Sequence, residues 1–152
     1  DCIMNSGKPL VVVDYAHTPD ALEKALSTLQ EIKPQGVALW CVFGCGGNRD
    51  RGKRPLMGAA AVQGADKVVV TSDNPRLENP QDIINDILPA VPNPERVEVD
   101  RAVAIRYAVE QAAANDIILI AGKGHENYQD VQGVKHHFSD FEIAEKALAE
   151  RS

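Results

Sequence analysis

Cysteine, long apolar runs and excess basic charge are all scarce in this sequence, and each scarcity excludes something. There are three cysteines, Cys2, Cys41 and Cys45, an odd number with no paired spacing. A disulfide framework is therefore not expected. Cys41 and Cys45 do not make a zinc site by themselves, because no further Cys or His cluster completes four ligands. The longest apolar runs are Val11 to Val13, Val68 to Val70 and Ile117 to Ala121. They have the length of strands and cannot cross a bilayer. No stretch near Asp1 joins basic residues, an apolar block and a small-residue cleavage site, so a cytoplasmic protein without a membrane partner is expected. The net charge of −6 argues against a nucleic-acid partner. No GK[ST] sequence occurs, which excludes a P-loop, and no complete GxGxxG opens a helix.

What is present suits one ordinary soluble domain over residues 1–152. The chain is 44% apolar and 25% charged, enough for a core without disulfides or metal. Strand-like and helix-like segments alternate. Leu10 to Val13, Val37 to Phe43, Lys67 to Thr71 and Asp116 to Ala121 read as buried strands, being short, apolar and rich in β-branched residues. Val97 to Val99 reads as a minor strand. Thr18 before Pro19 and Asn79 before Pro80 read as helix caps with proline at the first helical position. Leu22, Ala25, Leu26, Leu29 and Ile32 recur at helical spacing. Another helix is expected from Pro55 to Gly64, one from Asp100 to about Ala114, and one after Ser139 or Asp140. Tyr128 to Val131 and Val134 to Phe138 flank Gln132-Gly133 as a β-hairpin. Repeated strand–helix units imply a Rossmann-like, doubly wound α/β fold with a mostly parallel sheet, the hairpin giving an antiparallel edge strand.

In such a fold ligands bind beyond the carboxyl ends of the strands. Four loops leave those ends, and they hold the unusual chemistry. The first carries Asp14, Tyr15 and His17, suited to a ribose or phosphate. The second, Gly44 to Arg54, combines glycines with Arg49, Arg51, Lys53 and Arg54, a basic cluster on an acidic chain that suits a small anion. Its glycines are expected to let backbone approach a ligand while Arg49 is presented. The third, Asp73-Asn74-Pro75-Arg76, is stiffened by Pro75 and offers a guanidinium that can grip a carboxylate in a fork. The fourth, Gly122 to Glu126, adds a carboxylate beside two glycines. Two guanidiniums facing one or two carboxylates suit an amino acid with an extra carboxylate better than a phosphate. Alternatively, Arg49, Arg76, Asp73 and Glu126 merely pair with one another at the surface.

The runs Val13 to Asp20, Phe43 to Asp50, Asp73 to Arg76 and Ala121 to Glu126 together resemble the C-terminal domain of the Mur ligases. The resemblance covers nearly the whole chain. The third run is similar to the motif of the branch that adds meso-diaminopimelate rather than lysine. The resemblance implies one Rossmann-like domain of a three-domain, ATP-dependent ligase of peptidoglycan synthesis. That enzyme phosphorylates the D-glutamate carboxylate of UDP-MurNAc-L-Ala-D-Glu, and the amine of diaminopimelate attacks the acyl phosphate. Carried over by residue, Arg49, Asp73, Asn74, Pro75, Arg76, Gly122 and Glu126 would bind meso-diaminopimelate, with Lys123 a weaker candidate. Asp14, Tyr15 and His17 would lie near ATP. The arginine of the family's hinge and the P-loop are missing here, so ATP phosphates and Mg2+ would be held mainly by a central domain. This chain alone would bind no cofactor tightly and catalyse nothing. A stand-alone, non-catalytic amino-acid-binding module is the alternative reading.

Overall fold

The computed structural model describes residues 1–151. Eight strands and five helices alternate along the chain: β1 (Cys2–Ile3), β2 (Leu10–Asp14), α1 (Pro19–Ile32), β3 (Leu39–Phe43), α2 (Lys53–Gly64), β4 (Lys67–Val70), α3 (Pro80–Ile87), β5 (Arg96–Val97), α4 (Arg101–Gln111), β6 (Ile117–Ala121), β7 (Tyr128–Val131), β8 (Val134–His137) and α5 (Asp140–Glu150). Six strands form one sheet in the order β1-β2-β6-β3-β4-β5. All neighbours in it run parallel except β1 against β2.

Side-chain alternation on these strands splits the core in two. Leu39, Cys41, Phe43, Leu119 and Val70 face α1, α2 and α3, where Leu22, Leu26, Met57 and Ile84 pack on them. Trp40, Val42, Val69, Ile118 and Ile120 face α4 and α5, meeting Ile105, Val109 and Leu148. Helices therefore cover both faces, which is why β3 and β6 are buried at every position. The doubly wound α/β class expected from the sequence is the one observed.

The expected caps are also in place. Thr18 accepts from Ala21 N, Asn79 from Gln81 N and Asp100 from Val103 N. Ser139, not Asp140, caps the last helix, accepting from Glu142 N.

Several boundaries differ from expectation. The second helix starts at Lys53, before Pro55, because proline is tolerated anywhere in a first turn, where the N–H has no partner to lose. The minor strand is Arg96–Val97 rather than Val97 to Val99. The helix after Asp100 stops at Gln111. The hairpin exists, but it does not supply the antiparallel edge strand. It forms a two-stranded sheet of its own, and the antiparallel edge is β1. The physical reason lies in its exposure: β7 is only half-buried and β8 fully exposed, too polar to extend a sheet packed between helices. Among the described residues no helix is long and apolar enough to cross a membrane.

Candidate functional site

The loops after β2, β3, β4 and β6 meet at the carboxyl end of the sheet and enclose a cleft of about 380 Å³. Its walls include Tyr15, His17, Arg49, Asp73, Asn74, Arg76, Gly122 and Glu126. Eight of the ten expected site residues are thus brought to one cavity. The other two support it. Asp14 turns back and accepts from Ala16 N at 3.0 Å, ordering its own loop. Pro75 is buried, with its backbone against Gly47 of the second loop.

Glycines fix how the second loop lies. A Cβ on Gly47 would come within 1.9 Å of the Pro75 carbonyl oxygen, and one on Gly44 within 2.4 Å of the Thr71 oxygen. These glycines let the second loop press on the backbone of the third, while Gly44 and Gly46 also line the cleft. Gly47 N donates to the Asn74 carbonyl at 2.7 Å across the contact.

The basic cluster also divides. Arg54 is buried and donates to Glu78, Asp86 and the Gly46 carbonyl. Arg51 pairs with Asp86 at 3.1 Å. These two arginines anchor the loop, which leaves Arg49 and Lys53 as the cluster's cations without a carboxylate partner among the described residues. Arg49 is exposed at the cleft, its Nη1 donating to the Asn48 carbonyl.

Arg76 has a φ of 52°, left-handed backbone that a non-glycine residue seldom adopts. The hairpin holds it there: Arg76 N donates to the Asp130 carbonyl at 2.9 Å, and Gln132 N donates to the Arg76 carbonyl at 2.7 Å. The Arg76 guanidinium is steadied in turn, Nη1 donating to the Gly47 carbonyl at 2.9 Å. Hairpin, glycine loop and Asp73–Arg76 loop are thus one unit. Strain held by its surroundings beside a cleft is a mark of functional sites.

The charges do not pair off among themselves as a surface cluster would. Asp73 instead meets the buried Lys123 at 2.9 Å, and Glu126 lies 3.9 Å from the same ammonium. Beneath them Arg101 donates to the carbonyls of Ser72 and Ala121, the last residues before the third and fourth loops, while pairing with Asp140. Arg101 and Asp140 carry no signal in the sequence, since an arginine in the first turn of a helix looks the same whether it faces solvent or core. Burial opposes its charge, but Asp140 outweighs that and raises its pKa, so Arg101 is permanently cationic.

Cys45 also lines the cleft, but burial, with Asp73 nearby, pushes its thiol up to about 12. It is a neutral, unreactive group at ordinary pH. Among the described residues no three His, Cys, Asp or Glu gather as a metal-binding group would need. The site thus offers cations, carboxylates and fixed backbone.

Residues 2–124 match the family model described as "Mur ligase, glutamate ligase domain". The chain belongs to the Mur ligase family. This Mur ligase domain is 91% identical over 151 residues to the UDP-N-acetylmuramoyl-L-alanyl-D-glutamate–2,6-diaminopimelate ligase of Neisseria meningitidis serogroup A, covering 99% of this chain and 31% of that protein. Its identity to the ligase of the same name from Chromobacterium violaceum is 63% over 142 residues, with 93% of this chain and 29% of that one covered. A solved structure of a ligase with this name superposes at a TM-score of 0.90 with 49% identity, over 98% of this chain and 31% of that one. The folylpolyglutamate synthase of Thermotoga maritima, 21% identical at a TM-score of 0.59 over 80% of this chain and 26% of that one, shares the fold. The chain spans under a third of the length of the ligases it matches.

Proposed function

We propose that this chain is the amino-acid-receiving domain of a three-domain ligase that adds meso-diaminopimelate to UDP-MurNAc-L-Ala-D-Glu. The observation that carries the reading is the cleft itself, where Arg49 and Arg76 stand beside Asp73 and Glu126. Two cations and two carboxylates complement a zwitterion that carries one more carboxylate than lysine. Arg49, Arg76 and the Asn74 amide suit its carboxylate, and Glu126 and the Gly122 carbonyl suit its ammonium. The relatives bearing this ligase name support the same substrate.

In this reading ATP activates the D-glutamate carboxylate as an acyl phosphate. The amine of diaminopimelate displaces phosphate and leaves an amide. Tyr15 and His17 form the rim nearest the nucleotide, their rings 4.7 Å apart. The chain lacks a P-loop and a gathered metal-binding group among its described residues, so phosphates and Mg2+ are assigned to another domain of the ligase. The domain's contribution is orientation and exclusion of water as domains close. The ligase would work in the cytoplasm.

The test is phosphate release by the ligase that carries this domain, supplied with UDP-MurNAc-L-Ala-D-Glu, ATP and either meso-diaminopimelate or lysine. Turnover with diaminopimelate well above that with lysine is expected. Preference for lysine, or for neither, would sink the assignment. The 152-residue chain by itself is expected to fold cooperatively and release no phosphate.

A further inference from the structure

Lys123 is fully buried although it stands between two glycines on a loop at the cleft. Its Nζ lies 2.9 Å from Asp73 Oδ1, 2.9 Å from Asn74 Oδ1 and 3.1 Å from the Tyr128 carbonyl oxygen. Two of the ammonium's three hydrogens go to Asn74 Oδ1 and the Tyr128 carbonyl, while Asp73 Oδ1 is held by charge at ion-pair distance without a formed hydrogen bond. Glu126 Oε1 is a more distant fourth neighbour at 3.9 Å. Lys123 is fully buried and is not among the residues that line the cleft, so its influence on a ligand runs through its neighbours.

Its neighbours gain definition from it. Asn74 Oδ1 accepts from Lys123 Nζ and from Asp130 N, each at 2.9 Å. Both groups can only donate, so chemistry identifies this end of the amide as the oxygen. The opposite end of Asn74, at the cleft wall, is therefore the NH2, a donor suited to a carboxylate. Lys123 also sets the charge of the floor. Asp73 and Glu126 contribute two negative charges and Lys123 cancels one, leaving one net negative charge for one ammonium.

We infer that Lys123 is a positioning residue for amino-acid recognition: it points the Asn74 amide at the substrate carboxylate and trims the Asp73–Glu126 floor to match a single ammonium. This rests on the amino-acid-binding role proposed above. The partners of Lys123 lie on the loops after β4 and β6 and in the hairpin, none of them on the Tyr15–His17 loop, so its effect falls on the amino acid more than on the nucleotide.

The experiment is steady-state kinetics of Lys123→Met in the whole ligase, varying diaminopimelate and ATP separately. KM for diaminopimelate is expected to rise tenfold or more, with KM for ATP changed less than twofold. A lowered thermal midpoint without that split, or an equal rise in both KM values, would overturn the inference by showing a merely structural role. Should Lys123→Met fail to fold, Lys123→Met/Asp73→Asn removes the unpaired buried carboxylate. It is read against Asp73→Asn alone, and a KM for diaminopimelate at least fivefold above that reference is expected; an equal KM overturns the inference. Wild-type ligase that does not use diaminopimelate would instead refute the functional reading itself.

Discussion

Arg101 grips Asp140 with both prongs: Nε donates to Oδ1 at 2.8 Å and Nη2 to Oδ2 at 2.7 Å, and neither side chain is exposed. The pair joins the first turn of α4 to that of α5. Through the Ser72 and Ala121 carbonyls it also ties down the ends of β4 and β6, from which two of the cleft loops spring. Removing one partner of a buried pair leaves an uncompensated charge, which costs about 3 to 5 kcal/mol. Asp140→Ala should therefore lower the thermal midpoint by roughly 6 to 20 °C, at 2 to 4 °C per kcal/mol for a domain of this size. Arg101→Met/Asp140→Leu should recover much of that loss. A midpoint within about 2 °C of wild type for Asp140→Ala, less than a 1 kcal/mol effect, would refute the buried-pair account.

Acid should loosen the glycine loop before the core. The Arg54 guanidinium and the Asn48 N–H hold Glu78 below the usual carboxylate range, and Arg51 with Arg54 does the same for Asp86. Carboxylates depressed in the folded state add stability that is fully present above their unfolded pKa. That stability is lost as pH falls through the lower, folded value, so it fades below about pH 5. Glu78→Gln should flatten the acid side of the stability curve in urea unfolding at successive pH values. An unchanged slope would mean that Glu78 contributes no pH-dependent stability.

The sheet and its helices were legible because buried parallel strands and capped helices leave local marks. Val11 to Val13 before Thr18-Pro19, or Ile117 to Ala121 before Gly122, need no tertiary knowledge to be read. The cleft was legible for a related reason: strand-end loops converge in this fold, so Arg49, Arg76 and Glu126 meet without long-range guesswork. Partnerships across loops were not legible. Nothing local distinguishes Arg54, buried against Glu78 and Asp86, from the exposed Arg49 five positions before it. The hairpin pattern was visible, but its docking on Arg76 rests on two backbone hydrogen bonds that no side-chain pattern encodes.

Gly47 should prove intolerant of even one methyl group. A Cβ at this position would lie 1.9 Å from the Pro75 oxygen, and that obstacle is backbone rather than a yielding side chain. Gly47→Ala should destabilise the domain by about 1 to 3 kcal/mol and push the Asp73–Arg76 loop out of place. In the ligase, KM for diaminopimelate should rise more than KM for ATP. Gly36→Ala makes the contrast: that glycine has no atom within 4 Å of a Cβ, though its φ of 85° adds backbone strain. Its cost should fall on stability alone. Equal kinetic effects from the two substitutions would refute the loop-contact argument.

Arg76 should decide which amino acid the ligase accepts. Diaminopimelate carries a distal carboxylate that lysine lacks, and burying that charge without a partner costs several kcal/mol. The guanidinium is held ready, with Nη1 anchored on the Gly47 carbonyl and the backbone clasped by Asp130 and Gln132. Losing one charge-assisted contact in a desolvated site costs about 2 to 5 kcal/mol. Arg76→Ala should accordingly lower kcat/KM for diaminopimelate by about 30-fold or more, at tenfold per 1.4 kcal/mol. Arg76→Lys should restore little, because an ammonium does not reproduce the planar fork. Arg76→Gly separates side chain from backbone: at a φ of 52° glycine relieves strain, so the protein should be no less stable than Arg76→Ala yet equally poor with diaminopimelate. Activity with lysine, low from the start, should fall much less in all three variants. If lysine and diaminopimelate lose activity in equal proportion, Arg76 does not read the distal carboxylate, and the selectivity must lie with Arg49 or Asn74.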